Sequence, residues 1–121
     1  MDSKASKGNS IDMRTFSELQ EAAGADFVIE LIETFIDEAP QQLRVLREAL
    51  SRGDEVAFRR SAHTLKSNGN TFGALAFSAV AREMELRKLG DLGEQAQVLL
   101  QRLEDEYSRA AQALKELCHA T

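Results

Sequence analysis

The sequence predicts an all-α fold, an antiparallel up-and-down four-helix bundle with a short N-terminal lid helix. Three observations carry that expectation. Ala, Leu, Glu, Arg and Gln dominate a chain with no Trp and a single Pro, a composition that favours helix throughout. No stretch alternates apolar and polar residues as a half-buried strand would. Apolar residues instead recur at spacings of three and four in segments separated by turns of a few residues, and such segments pack as antiparallel neighbours.

Met1 to Ser10 holds Ser, Lys, Gly and Asn with almost nothing apolar, too little to offset its own ordering entropy. Residues 1–11 are therefore expected to be a disordered linker or tag, and residues 12–118 to form the domain. From Asp12, the series Met13, Phe16, Leu19, Ala23 reads as the lid helix, with Asp12 as its N-cap and Gly24 as its C-cap. Ala25 to Leu50 is the most apolar segment. Phe27, Val28, Leu31, Ile32, Phe35, Ala39, Leu43, Leu46 and Leu50 form its stripe, and the phase persists across Pro40, which predicts one helix kinked near Ile36. Gly53 then supplies a C-terminus and Asp54 a cap for the next helix.

That helix, Asp54 to about Phe72, contains conflicting signals. Ser67-Asn68-Gly69-Asn70 alone reads as a turn. Phe58, Ala62, Leu65, Gly69 and Phe72 nevertheless stay on one arc, so the helix is expected to continue to Phe72 and break at Gly73, with Gly69 at a close approach of a neighbouring helix. Ala74 to Leu89 forms the next helix through Phe77, Val80, Ala81, Met84 and Lys88, stopped by Gly90. Asp91 to Leu117 is a long amphipathic helix carrying Leu92, Ala96, Leu99, Leu103, Tyr107, Ala110, Leu114 and Leu117.

Function-bearing residues gather on the other flank of the helix over 54–72. Arg59, His63, Lys66, Ser67 and Asn70 line up there at i, i+4, i+7, i+8 and i+11, so an exposed imidazole stands between cations one turn away on either side. A neutral imidazole is a good nucleophile. The chain carries no His-Glu-x-x-His pair, no Gly-x-x-x-x-Gly-Lys-Ser/Thr phosphate loop and no nucleophile elbow, so a hydrolase or ATP-using enzyme is disfavoured. Adjacent Cys118 and His119 lack metal-ligand spacing. A net charge of -5 disfavours nucleic acid as the partner. No run of apolar residues is long enough to span a membrane or to act as a signal peptide, so a cytoplasmic protein is expected.

Ala62-His63-Thr64-Leu65-Lys66, followed by small or polar residues and then Phe72-Gly73-Ala74, resembles the signature of histidine phosphotransfer (HPt) domains. The resemblance implies that His63 takes a phosphoryl group from a phospho-aspartate of a response-regulator receiver domain or hybrid sensor histidine kinase and passes it to another aspartate. It implies that Lys66 contacts the phosphoryl oxygens, and that the protein holds no cofactor because Mg2+ belongs to the receiver. Arg59, Arg60, Ser67 and Asn70 are candidate partner-binding residues, with the facing side of the helix over 25–50 completing the patch. Ser67 stands where the family usually has Gly, Gly69 stands where Ser or Ala is common, and Asn68 and Asn70 are bulkier than the usual choices. An acidic residue follows the histidine in dimerising kinase bundles, and Thr64 does not match it, so a monomer is expected. The competing reading is a helical interaction or dimerisation module without chemistry, for which an exposed imidazole beside a lysine has no use.

Overall fold

A computed structural model describes residues 10–120. It is all-helical: α1 (Met13–Ala23), α2 (Ala25–Arg52), α3 (Glu55–Phe72), α4 (Leu75–Leu86), the single turn α5 (Leu89–Leu92) and α6 (Gln95–Ala120), with no strand among the described residues. The disorder expected for the first residues falls on positions outside the described range. Ile11, assigned to that segment from sequence, is 1% exposed and belongs to the core, so the packed structure begins before Asp12.

The helix ends follow local chemistry. Asp12 accepts from the Thr15 amide at 3.2 Å and from the Thr15 hydroxyl at 2.6 Å, and those two bonds hold its carboxyl below the usual range. Its own amide donates to the Gly73 carbonyl at 2.7 Å, which ties the start of α1 to the end of α3. Asp54 caps α3 by accepting from the Ala57 amide at 3.1 Å. Gly53 and Gly73 close α2 and α3 at φ of 69° and 83°, values that side chains with a Cβ adopt only under strain.

α2 runs unbroken through Pro40. Proline has no amide hydrogen, so the Ile36 carbonyl one turn earlier loses its helical donor. The Tyr107 hydroxyl of α6 supplies the missing bond, donating to Ile36 O at 3.0 Å. Partial burial there pushes the phenol upward. Around the same point Phe35 of α2 packs its ring centroid 5.3 Å from Phe72 of α3, 6.0 Å from Phe77 of α4 and 5.7 Å from Tyr107. One aromatic ring from each long helix thus meets at the centre of the core, at separations typical of favourable ring pairs.

Two expectations need correction. Phe27 is 50% exposed, and Ala49 takes a place in the α2 stripe that was not assigned to it. Val28, Ile32, Phe35, Ala39, Leu43, Leu46 and Ala49 define the buried direction, and Phe27 lies off that line. The second concerns α4, which ends at Leu86 rather than Leu89, with Arg87 extended (φ -100°, ψ 141°) and Lys88 exposed outside the helix. The apolar phase of α4 would place Lys88 inward after Met84. The chain turns instead so that Leu92 is buried and Leu89 partly so. Arg87 pins that turn, donating to Glu83 at 3.2 Å and to Gln95 at 2.7 Å, and α6 accordingly starts at Gln95 instead of Asp91.

α3 and α4 approach closely because Gly69 has no side chain. A Cβ there would lie 2.3 Å from Ser78 Oγ and 2.8 Å from a Phe77 ring carbon, closer than real contacts permit. The space admits the buried Ser78 hydroxyl, which donates to the Lys66 carbonyl at 2.9 Å. That bond fixes the two helices against each other beneath the face that carries His63.

Candidate functional site

His63 is flanked along α3 by core residues. Ala62 and Leu65 are fully buried, so the backbone beneath the imidazole is rigidly packed while the ring itself is 58% exposed. Its Nδ1 lies 2.7 Å from Oε2 of Glu85, a residue of α4. The second oxygen of the same carboxylate, Oε1, is buried and faces the Lys66 ammonium at 2.8 Å, its only counter-charge among the described residues. One carboxylate thus joins both residues that the sequence singled out.

Glu85 is ionised. The Lys66 contact, assisted by His63, holds its carboxyl below the usual glutamate range and outweighs the opposing effect of desolvation. An ionised carboxylate can only accept hydrogen bonds, so the imidazole must be the donor and Nδ1 must carry the hydrogen. In the neutral ring Nε2 is then the nitrogen with a free lone pair, and it is the nitrogen that does not face Glu85.

Arg59 and Arg60 are exposed and form no ion pair with an acid among the described residues. With Val56, His63 and Glu85 they line an open recess of about 300 Å³ beside the imidazole. α4 supplies the wall of this recess next to the ring, through Glu85. Ser67 and Asn70 are exposed further along α3, and neither side chain hydrogen-bonds to the His63 network. The structure brings His63, Lys66, Arg59 and Arg60 together and leaves Ser67 and Asn70 at the margin.

Glu85 and Ser78 were not recognised from sequence. Both lie on the side of α4 that meets α3, two turns apart, and their significance depends on which residues of α3 they oppose. A usable signal did exist. In a helical hairpin turning at Gly73-Ala74, residues equally far from the turn lie side by side. His63 is ten positions before Gly73 and Glu85 eleven after Ala74.

Comparison with known proteins gives this geometry a family. Residues 30–113 match the Hpt domain model. Phosphorelay protein LuxU from two strains of Vibrio vulnificus, YJ016 and CMCP6, is 34% identical over 88 residues, covering 72% of this chain and 76% of that protein. Among solved structures, histidine-containing phosphotransfer protein B (HptB) of Pseudomonas aeruginosa PAO1 superposes with a TM-score of 0.85 at 28% identity, over 93% of this chain and 96% of that one. The HPT domain of a hybrid sensor histidine kinase from Shewanella superposes at 0.72 over 93% and 97%, and at 16% identity that likeness is one of fold. With a family match extending over more than half its length, this chain belongs to the Hpt domain family.

Proposed function

We propose that this protein is the histidine phosphotransfer component of a two-component phosphorelay and that His63 is the residue phosphorylated. The observation that carries the assignment is the exposed ring whose Nδ1 is tied to an ionised carboxylate at 2.7 Å, leaving Nε2 as the nucleophile. In loading, the Nε2 lone pair attacks the phosphorus of a receiver's acyl phosphate. The P–O bond to aspartate breaks, and aspartate leaves as a carboxylate. In unloading, an aspartate carboxylate of a second receiver attacks, and the P–N pair returns to Nε2. The chain acts as a carrier rather than a complete catalyst, because the reaction is finished by the partner's aspartate and by Mg2+ bound in the receiver.

Lys66 is positioned one turn from His63, and its ammonium can exchange Glu85 for the phosphoryl oxygens, a charge-assisted contact that strengthens once docking excludes water. Arg59 and Arg60, beside the recess and in no ion pair among the described residues, suit an acidic partner surface, with Ser67 and Asn70 at the edge of the contact. α2, α3, α4 and α6 form an antiparallel up-and-down four-helix bundle on which α1 sits as a lid. The working form is a cytoplasmic monomer, docking transiently on a receiver through a patch of modest area. No described helix is long and apolar enough to cross a membrane.

The test is incubation with a phosphorylated receiver. Wild type should acquire an acid-labile, alkali-stable label, and His63→Gln should acquire none. Label of that kind on the variant would remove His63 from the assignment. Light scattering that finds a stable dimer would remove the monomer.

A further inference from the structure

We infer that Glu85 sets the charge of the phosphorylated imidazole, and through it the lifetime and donor strength of the phosphoryl group. The inference rests on the reading of His63 as the phosphoryl acceptor and extends it to a positioning residue on another helix.

Bonding Nε2 to phosphorus while Nδ1 keeps its hydrogen turns the ring into an imidazolium. When an acceptor carboxylate or water attacks the phosphorus, the P–N bond breaks and its electron pair returns to Nε2. The ring then departs neutral, with the Nδ1 hydrogen still directed at Glu85, and no proton needs to move. Had Nδ1 lost its hydrogen, the same step would expel an imidazolate anion, a far poorer leaving group. The charge state at Nδ1 therefore decides how readily the phosphoryl group moves on.

The surroundings make that charge state depend on one residue. The charged groups facing the ring are Arg59 and Arg60 of α3, with Lys66 one turn along, and Glu85 of α4. No other element contributes an ion pair to it among the described residues. Three cations disfavour an imidazolium, and among the described residues Glu85 is the one acid beside the ring that favours it. Its carboxylate is also well fixed. Its side chain is 17% exposed, Lys66 holds the far oxygen, and the Ser78 bond to the Lys66 carbonyl locks α4 against α3 beneath it. A neutral amide in the same place would accept the Nδ1 hydrogen bond, preserving the tautomer, but would not stabilise the positive charge.

Glu85→Gln separates those two effects. Wild type and variant are labelled on His63 by a phosphorylated receiver, the receiver is removed, and loss of label is followed across the neutral pH range. The variant should hold its label longer near neutrality, by roughly three- to tenfold. The pH above which the label becomes long-lived should be lower in the variant than in wild type. Glu85→Asp, which keeps the charge, should move the curve back toward wild type. Nitrogen-15 NMR of the unphosphorylated ring should report the same tautomer in wild type and Glu85→Gln.

Coincident lifetime curves on proteins both labelled at His63 would overturn the inference. So would a changed tautomer in Glu85→Gln, since orientation would then account for the lifetime, or complete failure of that variant to label while its helical content is intact. A wild type that takes no label at His63 is a different result, and it overturns the assignment of His63 itself.

Discussion

The two faces of α3 are held by different forces. On the inner face Phe58, Ala62, Leu65, Gly69 and Phe72 are all nearly inaccessible, and the constraint is steric: one added methyl at Gly69 has nowhere to go. On the outer face Arg59, His63 and Asn70 are exposed, Lys66 is partly so, and the constraint is electrostatic, a single carboxylate shared by an imidazole and an ammonium. The inner face contributes stability in proportion to apolar area removed from water. Ion pairs that keep contact with solvent contribute little. Stability and the proposed chemistry therefore fall to residues one or two positions apart, and they should respond separately to substitution.

The sharpest test of that separation is His63→Gln, which should abolish labelling while leaving thermal stability within about 0.5 kcal/mol of wild type, because the ring is largely exposed. A large fall in the melting temperature would break the comparison. Gly69→Ala is the converse. Alanine gains about 1 kcal/mol of helix propensity over glycine. Against that stand the overpacking cost of about 1–3 kcal/mol and the displacement of Ser78 from the Lys66 carbonyl, worth about 1 kcal/mol. Net destabilisation of about 2 kcal/mol should appear as a melting temperature lower by roughly 8 °C. Any loss of labelling should follow the unfolded fraction.

The inner face was readable from sequence because its signals are local. Asp12, Gly24, Gly53, Asp54 and Gly73 each end or begin a helix through their own side-chain or backbone chemistry, and the stripe from Phe58 to Phe72 outweighed the turn-like Asn68-Gly69 pair. Errors arose where a choice depended on a distant partner. Periodicity alone could not decide between adjacent Phe27 and Val28, and only Val28 is covered by the other helices. Helical phase carried α4 too far, because nothing near Arg87 announces that Leu92 must turn into the core. Glu85 escaped notice for the same reason: an acid near the edge of an amphipathic helix looks like solvated surface until the opposing helix brings His63 and Lys66 to it.

Between the two faces in magnitude lies the Pro40 device in the core. Tyr107→Phe removes the donor to the Ile36 carbonyl and leaves that group unpaired, for an expected loss of about 1–2 kcal/mol by chemical denaturation. Restoring an amide with Pro40→Ala gives Ile36 its helical donor back, so Tyr107→Phe should cost less in that background. Additive losses in the double variant would show that the hydroxyl and the missing amide are unrelated.

The smallest effect should come from Glu85→Gln measured as stability rather than as phosphoryl lifetime. The carboxylate faces Lys66 and His63 in a partly exposed cluster, so the loss at neutral pH should not exceed about 1 kcal/mol. Its pH dependence has a definite sign. Folding lowers the affinity of Glu85 for a proton, so its contribution is complete above the ordinary glutamate value near 4.5 and declines as pH falls through the depressed folded value. Wild type and variant should therefore differ near neutrality and converge in acid, as read from denaturant midpoints at a series of pH values. A gap that widened on acidification would mean that the carboxylate is protonated more readily in the folded protein. The electrostatic account of the outer face, and with it the assignment of the Nδ1 hydrogen, would then be wrong.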